Sequence, residues 1–249
     1  MADNLSNLAG AAEFFDSPTS PSFIERLARM YMLQDPACLV VRGLPVTGDP
    51  RPDDLDIEIT HKEQAGERYS REVFELLNER IGGNRVTTHM GNVIRVIDPD
   101  DPSVIRVEPT HTHPETGVNN MFCNIADGAI SHVTFVDDIW RNATGYERDA
   151  YQKYGMINLK DGRALWYAEF VNCHDIFEKL EKLSVLPNQD LMTAATALAQ
   201  AIRNSAREYY LREGDFIFFS QLKTLRGAPA YPAPTSGIER RWYQSMTYA

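Results

Sequence analysis

The sequence predicts a β-dominated α+β fold, a β-sandwich or jelly roll with helices packed outside it. Three observations carry that prediction. From Arg85 onward the apolar pattern shifts towards a period of two, in short segments divided by turn residues. Stretches before and after this region repeat at helical spacing instead. Close to the C-terminus, the apolar run "FIFF" inside "EGDFIFFSQL" reads as a buried strand.

Taken in chain order, residues 3–16 read as a short helix. "SPSFIERLARMYMLQ" reads as a firmer one, with Ser20 to cap it, Pro21 in its first turn, and Phe23, Ile24, Leu27, Met30 and Tyr31 on one face. "ACLVVRGLPV" is a continuous apolar run and so a buried strand, and "TGDPRPDDLD" is a loop by its Pro, Gly and Asp content. "ERYSREVFELLNERIGG" is helical, with Tyr69, Val73, Leu76, Leu77 and Arg80 in phase and two glycines to stop it. Strands follow at "RVTTHMGNVIRVID", "PSVIRVEP", "NNMFCNIA" and "AISHVTFVDD". Asp-Gly in "ADGA" at 126–129 and in "KDGR" at 160–163 predicts a hairpin at each place. "NQDLMTAATALAQAIRNSA" is a helix with Leu191, Ala195, Leu198 and Ile202 on one face, and "ERRWYQSMTYA" is the last strand. Nothing resembling a repeat or a linker divides residues 1–249, so one domain is expected.

Composition excludes more than it identifies. The 249 residues are 43% hydrophobic and 24% charged, as for an ordinary globular chain. A net charge of −10 argues against a nucleic-acid partner, which needs a basic face. No apolar run reaches the roughly 20 residues of a membrane span, and the N-terminus lacks the pattern of a secretory signal. A cytoplasmic location is expected. Cys38, Cys123 and Cys173 are widely spaced and odd in number, which suggests free thiols rather than a disulfide framework.

The stretch "THTHPETG" at 110–117 carries the chemistry. In an extended strand His111, His113 and Glu115 share a face, with neighbours about 6.6 Å apart and the outer two about 13 Å apart. Two neighbours can share one ion, and all three can do so only if the strand bends, for which Pro114 and Gly117 are suitable. Imidazoles with a carboxylate suit non-haem Fe(II). The same residues also suit the exposed face of a strand.

In their order, "VVRGLPV", the "TFVD" strand end carrying Thr134, "GDFIFF" and "RRWYQSM" resemble the clavaminate synthase and taurine dioxygenase superfamily of Fe(II)/2-oxoglutarate oxygenases, from about Leu39 to the C-terminus. The resemblance implies a double-stranded β-helix, a jelly-roll variant, with Fe(II) and 2-oxoglutarate as cofactors and a small-molecule substrate such as an amino acid. It implies that Thr134 and Arg241, with Arg240 beside it, bind 2-oxoglutarate. It implies a His-x-acid iron pair, which is His113–Glu115 in one register and His111 with His113 in the other. It also exposes a departure. The family's distal histidine ligand aligns with Arg226 in "QLKTLRGA", and no histidine follows His174. Arginine stays protonated and cannot ligate a metal. Arg226 is thus a candidate catalytic side chain in the pocket, or a partner for Asp137, Asp138 or Glu169. Two accounts stand beside an unrelated β-rich domain. One is an oxygenase whose metal is held by His111, His113 and Glu115. The other is a jelly roll without iron that binds an anion between Arg226 and Arg241, or runs acid–base chemistry.

Overall fold

The computed structural model describes residues 12–44, 68–69, 71–82, 87–95, 104–105, 108–112, 119–124, 129–212, 214–228, 231–232 and 241–248. Two antiparallel-rich sheets dominate it. The larger runs β1 (Glu13–Phe15), β2 (Cys38–Val41), β11 (Phe216–Ser220), β6 (Asn119–Asn124), β14 (Arg241–Tyr248) and β3 (Thr87–Arg95), in that spatial order. The smaller runs β10 (Arg207–Leu211), β7 (Ala129–Phe135), β12 (Thr224–Ala228) and β5 (Glu108–His111). Short pairs form between β4 (Val104–Ile105) and β13 (Tyr231–Pro232), and between β8 (Ile157–Lys160) and β9 (Arg163–Trp166).

Strand alternation sorts the core into three layers. Cys38 and Val40 of β2, Ile217 and Phe219 of β11, and Val133 and Phe135 of β7 meet between the sheets. The alternate residues Leu39, Val41, Phe216 and Phe218 face outward on the larger sheet, where α1 (Pro21–Tyr31) and α2 (71–81) cover them. Ser20 caps α1 by accepting from Phe23 N at 3.2 Å, and Phe23, Ile24, Leu27 and Met30 are buried. The Phe23 ring lies 5.1 Å from Phe218. Burial of each such side chain contributes about 1.5–3 kcal/mol. The third layer covers the outer face of the smaller sheet. There Leu225 joins residues of α3 (Val136–Asn142), α4 (Gly145–Lys153), α5 (Ala168–Val171), α6 (Ile176–Ser184) and α7 (Gln189–Ser205).

Three expectations change. Glu13–Phe15 is a strand parallel to β2, not part of a helix, because pairing with Leu39–Val41 satisfies its backbone. Val136–Asp138 open α3 instead of prolonging β7. The strands flanking Asp-Gly at 127–128 do not form a hairpin, because β6 belongs to the larger sheet and β7 to the smaller. At 161–162 the same dipeptide does close a hairpin, β8–β9, with Asp161 at φ 52° and Gly162 at φ 76°, as a two-residue primed turn requires. The expected loop at 47–56 lies outside the described residues.

"RGLP" and "EGDF" meet as one lock. Asp215 is buried and accepts from Gly43 N at 2.9 Å, from Arg212 N at 2.8 Å and from Arg42. Gly214, at φ 78°, lets Leu44 N donate to its carbonyl, and a Cβ there would meet Leu44 O at 2.1 Å.

Candidate functional site

The turn between β11 and β12 anchors the site. Lys223 is buried there and forms ion pairs with Asp35 at 2.5 Å and Asp137 at 2.8 Å. Its carbonyl accepts from Val136 N at 3.0 Å, and Leu222 O accepts from Trp166 N at 2.8 Å. These contacts fix Gln221, which is fully buried. Thr112 donates its hydroxyl to Gln221 O and to Gln221 Oε1, at 3.0 and 2.9 Å.

Arg226 shares that acceptor, donating from Nη1 to Gln221 Oε1 at 3.3 Å. In β12 it stands between two partners, Val133 of β7 and His111 of β5. Val133 belongs to the layer between the sheets, and paired residues of a ladder share a face, so Arg226 points into that layer. Its neighbour Leu225 points the other way, to the helices. Arg226 is only 7% exposed, so a guanidinium occupies the inter-sheet space beside the backbone of His111. Two of the three acids named for it are engaged elsewhere: Asp137 with Lys223, and Asp138 with Arg207 and Arg141.

The remaining candidates divide. His113 and Glu115 lie outside the described residues, as does Arg240. The ladder sets His111, not His113, opposite Arg226. Thr134 requires a correction. It pairs with Leu225, donates its hydroxyl to Ile202 O of α7 at 3.4 Å, and so faces the helices. Thr134 and Arg226 lie on opposite faces of one sheet, and a single small ligand cannot touch both. The hydroxyl on β7 in phase with Val133 and Phe135 is Ser131. Strand alternation was the signal for it, hidden because helices bury the outer face of β7 as well. His132, in phase with Thr134, bonds Glu208 across the ladder at 3.1 Å.

Arg241 opens β14 opposite Arg95, in the larger sheet.

Does this arrangement suit iron? Among the described residues no three His, Cys, Asp or Glu side chains gather around one point. Arg226 does not fit as a ligand, since a guanidinium offers donors only and repels a divalent cation. It does fit a carboxylate, which it can hold through two parallel hydrogen bonds.

No protein-family model matches the chain, and no curated protein resembles it significantly. Solved structures do. The non-haem iron oxygenase OrfP, in complex with Fe and alpha-ketoglutaric acid, superposes with a TM-score of 0.60 at 12% identity, over 92% of this chain and 80% of that one. OrfP in complex with Fe and L-Arg gives a TM-score of 0.59 at 13% identity, over the same shares. OrfP with Fe, succinate and (3R,4R)-dihydroxy-L-Arg gives 0.60 at 12%. The chain shares the fold of a non-haem iron oxygenase that binds Fe and alpha-ketoglutaric acid. Among the described residues no helix is long and apolar enough to cross a membrane.

Proposed function

We propose that this chain is a non-haem Fe(II)/2-oxoglutarate-dependent oxygenase with an atypical metal site, built on a double-stranded β-helix. Its substrate is a small polar metabolite, an amino acid or a derivative of one, as suits a fold shared with an oxygenase that binds L-Arg. The observation that carries the reading is the pairing of Arg226 with His111 on strands lining the space between the sheets. In this reading His111, His113 and Glu115 are the metal donors, two imidazoles and a carboxylate. Bound Fe(II) with 2-oxoglutarate would supply the activation of O2.

The chain's own residues do the rest. Arg241 at the head of β14, with Arg240 beside it in the sequence, takes a carboxylate of 2-oxoglutarate. Ser131, rather than Thr134, is the hydroxyl of β7 on the face shared with Val133. Arg226 holds the carboxylate of the substrate, positioned by Gln221 and, through it, by Thr112. The apolar layer of Val40, Val133, Ile217 and Phe219 keeps water from behind the site.

A second reading is favoured by the burial of Arg226 itself. A guanidinium at the distal position suits a pocket that binds an anion without iron, with His111, His113 and Glu115 as proton carriers. Anaerobic titration of the apoprotein with Fe(II) and 2-oxoglutarate separates the two. A weak visible charge-transfer band that saturates at one iron per chain and disappears in His113→Ala supports the oxygenase. No metal uptake, with a carboxylate ligand bound by the wild type and lost in Arg226→Ala, supports the second reading instead.

A further inference from the structure

A cleft of about 760 Å³ opens at the edge of the sheets opposite β5, where β1 and β10 are the outermost strands. That volume falls within the range of small-ligand sites, about 300–1,000 Å³. β7 and β12 separate it from His111 and Arg226's partner strand, so it is no part of the site described above.

Both sheets contribute aromatic rings and arginines to the cleft. Phe14 and Arg42 come from the larger sheet, and Tyr209 and Arg207 from the smaller. Phe14 pairs with Val40 and therefore faces the layer between the sheets, yet it is 50% exposed because it stands at the open edge. The Arg42 guanidinium stacks 4.9 Å from its ring centre, and the Tyr209 ring lies 6.4 Å away. Tyr209 is anchored by accepting from Ala12 N at 3.2 Å.

The carboxylates here are already engaged. Asp215 is buried and spends its oxygens on Gly43 N, Arg212 N and Arg42, while Glu208 is held by His132. Arg42 uses only Nη1 for its protein contacts, on Tyr210 O at 3.0 Å and on Asp215. Its Nε and Nη2 make no hydrogen bond among the described residues. The cleft thus offers a pinned guanidinium edge next to an exposed aromatic face, with Arg207, itself paired with Asp138, also in its lining.

We infer that this cleft is a second binding site, for a flat, apolar carboxylate such as an aromatic acid. The carboxylate sits on the Nε–Nη2 edge of Arg42, and the ring lies against Phe14. The inference is independent of whether iron binds.

The test titrates the full-length protein with 2-naphthoate, followed by its fluorescence, beside the neutral 2-naphthalenemethanol. Saturable one-to-one binding is expected for the acid alone, weakened roughly tenfold in Phe14→Ala and in Arg42→Gln. Because Arg42 also braces Asp215, Arg42→Gln is read only if its melting curve stays cooperative. Phe14, exposed at the edge, carries the test otherwise. Three results overturn the proposal: no saturation by about 10 mM, a concentration that already marks negligible affinity; equal binding of the neutral alcohol; or unchanged affinity in Phe14→Ala.

Discussion

Replacing Arg226 by Gln removes the buried cation while keeping a group that can bond Gln221. The ladder holds the backbones of Arg226 and His111 about 5 Å apart, so an ion on His111 would lie roughly 6–10 Å from the guanidinium. At an effective dielectric of about 20, the repulsion between that charge and a divalent ion is about 3–5 kcal/mol. Relieving it should tighten metal binding by roughly two to four decades, at 1.4 kcal/mol per decade. Arg226→His should tighten it further by adding an imidazole. The assay is Mn(II) binding, read as loss of the free-ion EPR signal, on proteins first shown to melt cooperatively. Wild type, Arg226→Gln and Arg226→His agreeing within threefold would refute the reasoning, since the charge would then not face the metal position.

Two further outcomes concern stability. Asp215→Ala leaves the Gly43 and Arg212 amides without their acceptor and Arg42 without its counter-ion, a loss of about 3–5 kcal/mol. For a chain this size that lowers Tm by on the order of 10 °C, and a shift under about 2 °C would show the lock to be dispensable. Burial pushes the Tyr209 hydroxyl up to about 12. A tyrosine raised in the folded state contributes fully below its unfolded value near 10, and that contribution is lost as pH rises through the folded value. Urea midpoints should therefore fall between pH 10 and 12. Tyr209→Phe should flatten this fall in part, since Tyr151 is raised in the same direction.

The sequence showed some of this plainly and hid the rest for identifiable reasons. α1 was legible because Ser20, Pro21 and a one-sided apolar face all point the same way. β11 was legible because "FIFF" is buried between helices and the opposing sheet. Two identical Asp-Gly signals had different outcomes, because turn chemistry is local and the sheet a strand joins is not. Thr134 was assigned to the pocket by the resemblance alone, and nothing in the residues of β7 fixed which face it takes. Only the contact with Ile202 reveals which way it points. Arg226 was different: its type alone marked the departure, and the structure added its partner, His111.

The lock between Arg42–Gly43 and Gly214–Asp215 also sets an order of assembly. Gly43 and Asp215 are 172 positions apart in the chain. Until β11 exists, Cys38–Val41 has only the short parallel β1 beside it, and four fully buried residues lie along a strand with one open edge. Closing so long a loop slows folding, and an uncovered apolar strand invites pairing with other chains. Fragments that stop short of Phe216 should accordingly aggregate, and the larger sheet should be among the last parts of the molecule to close.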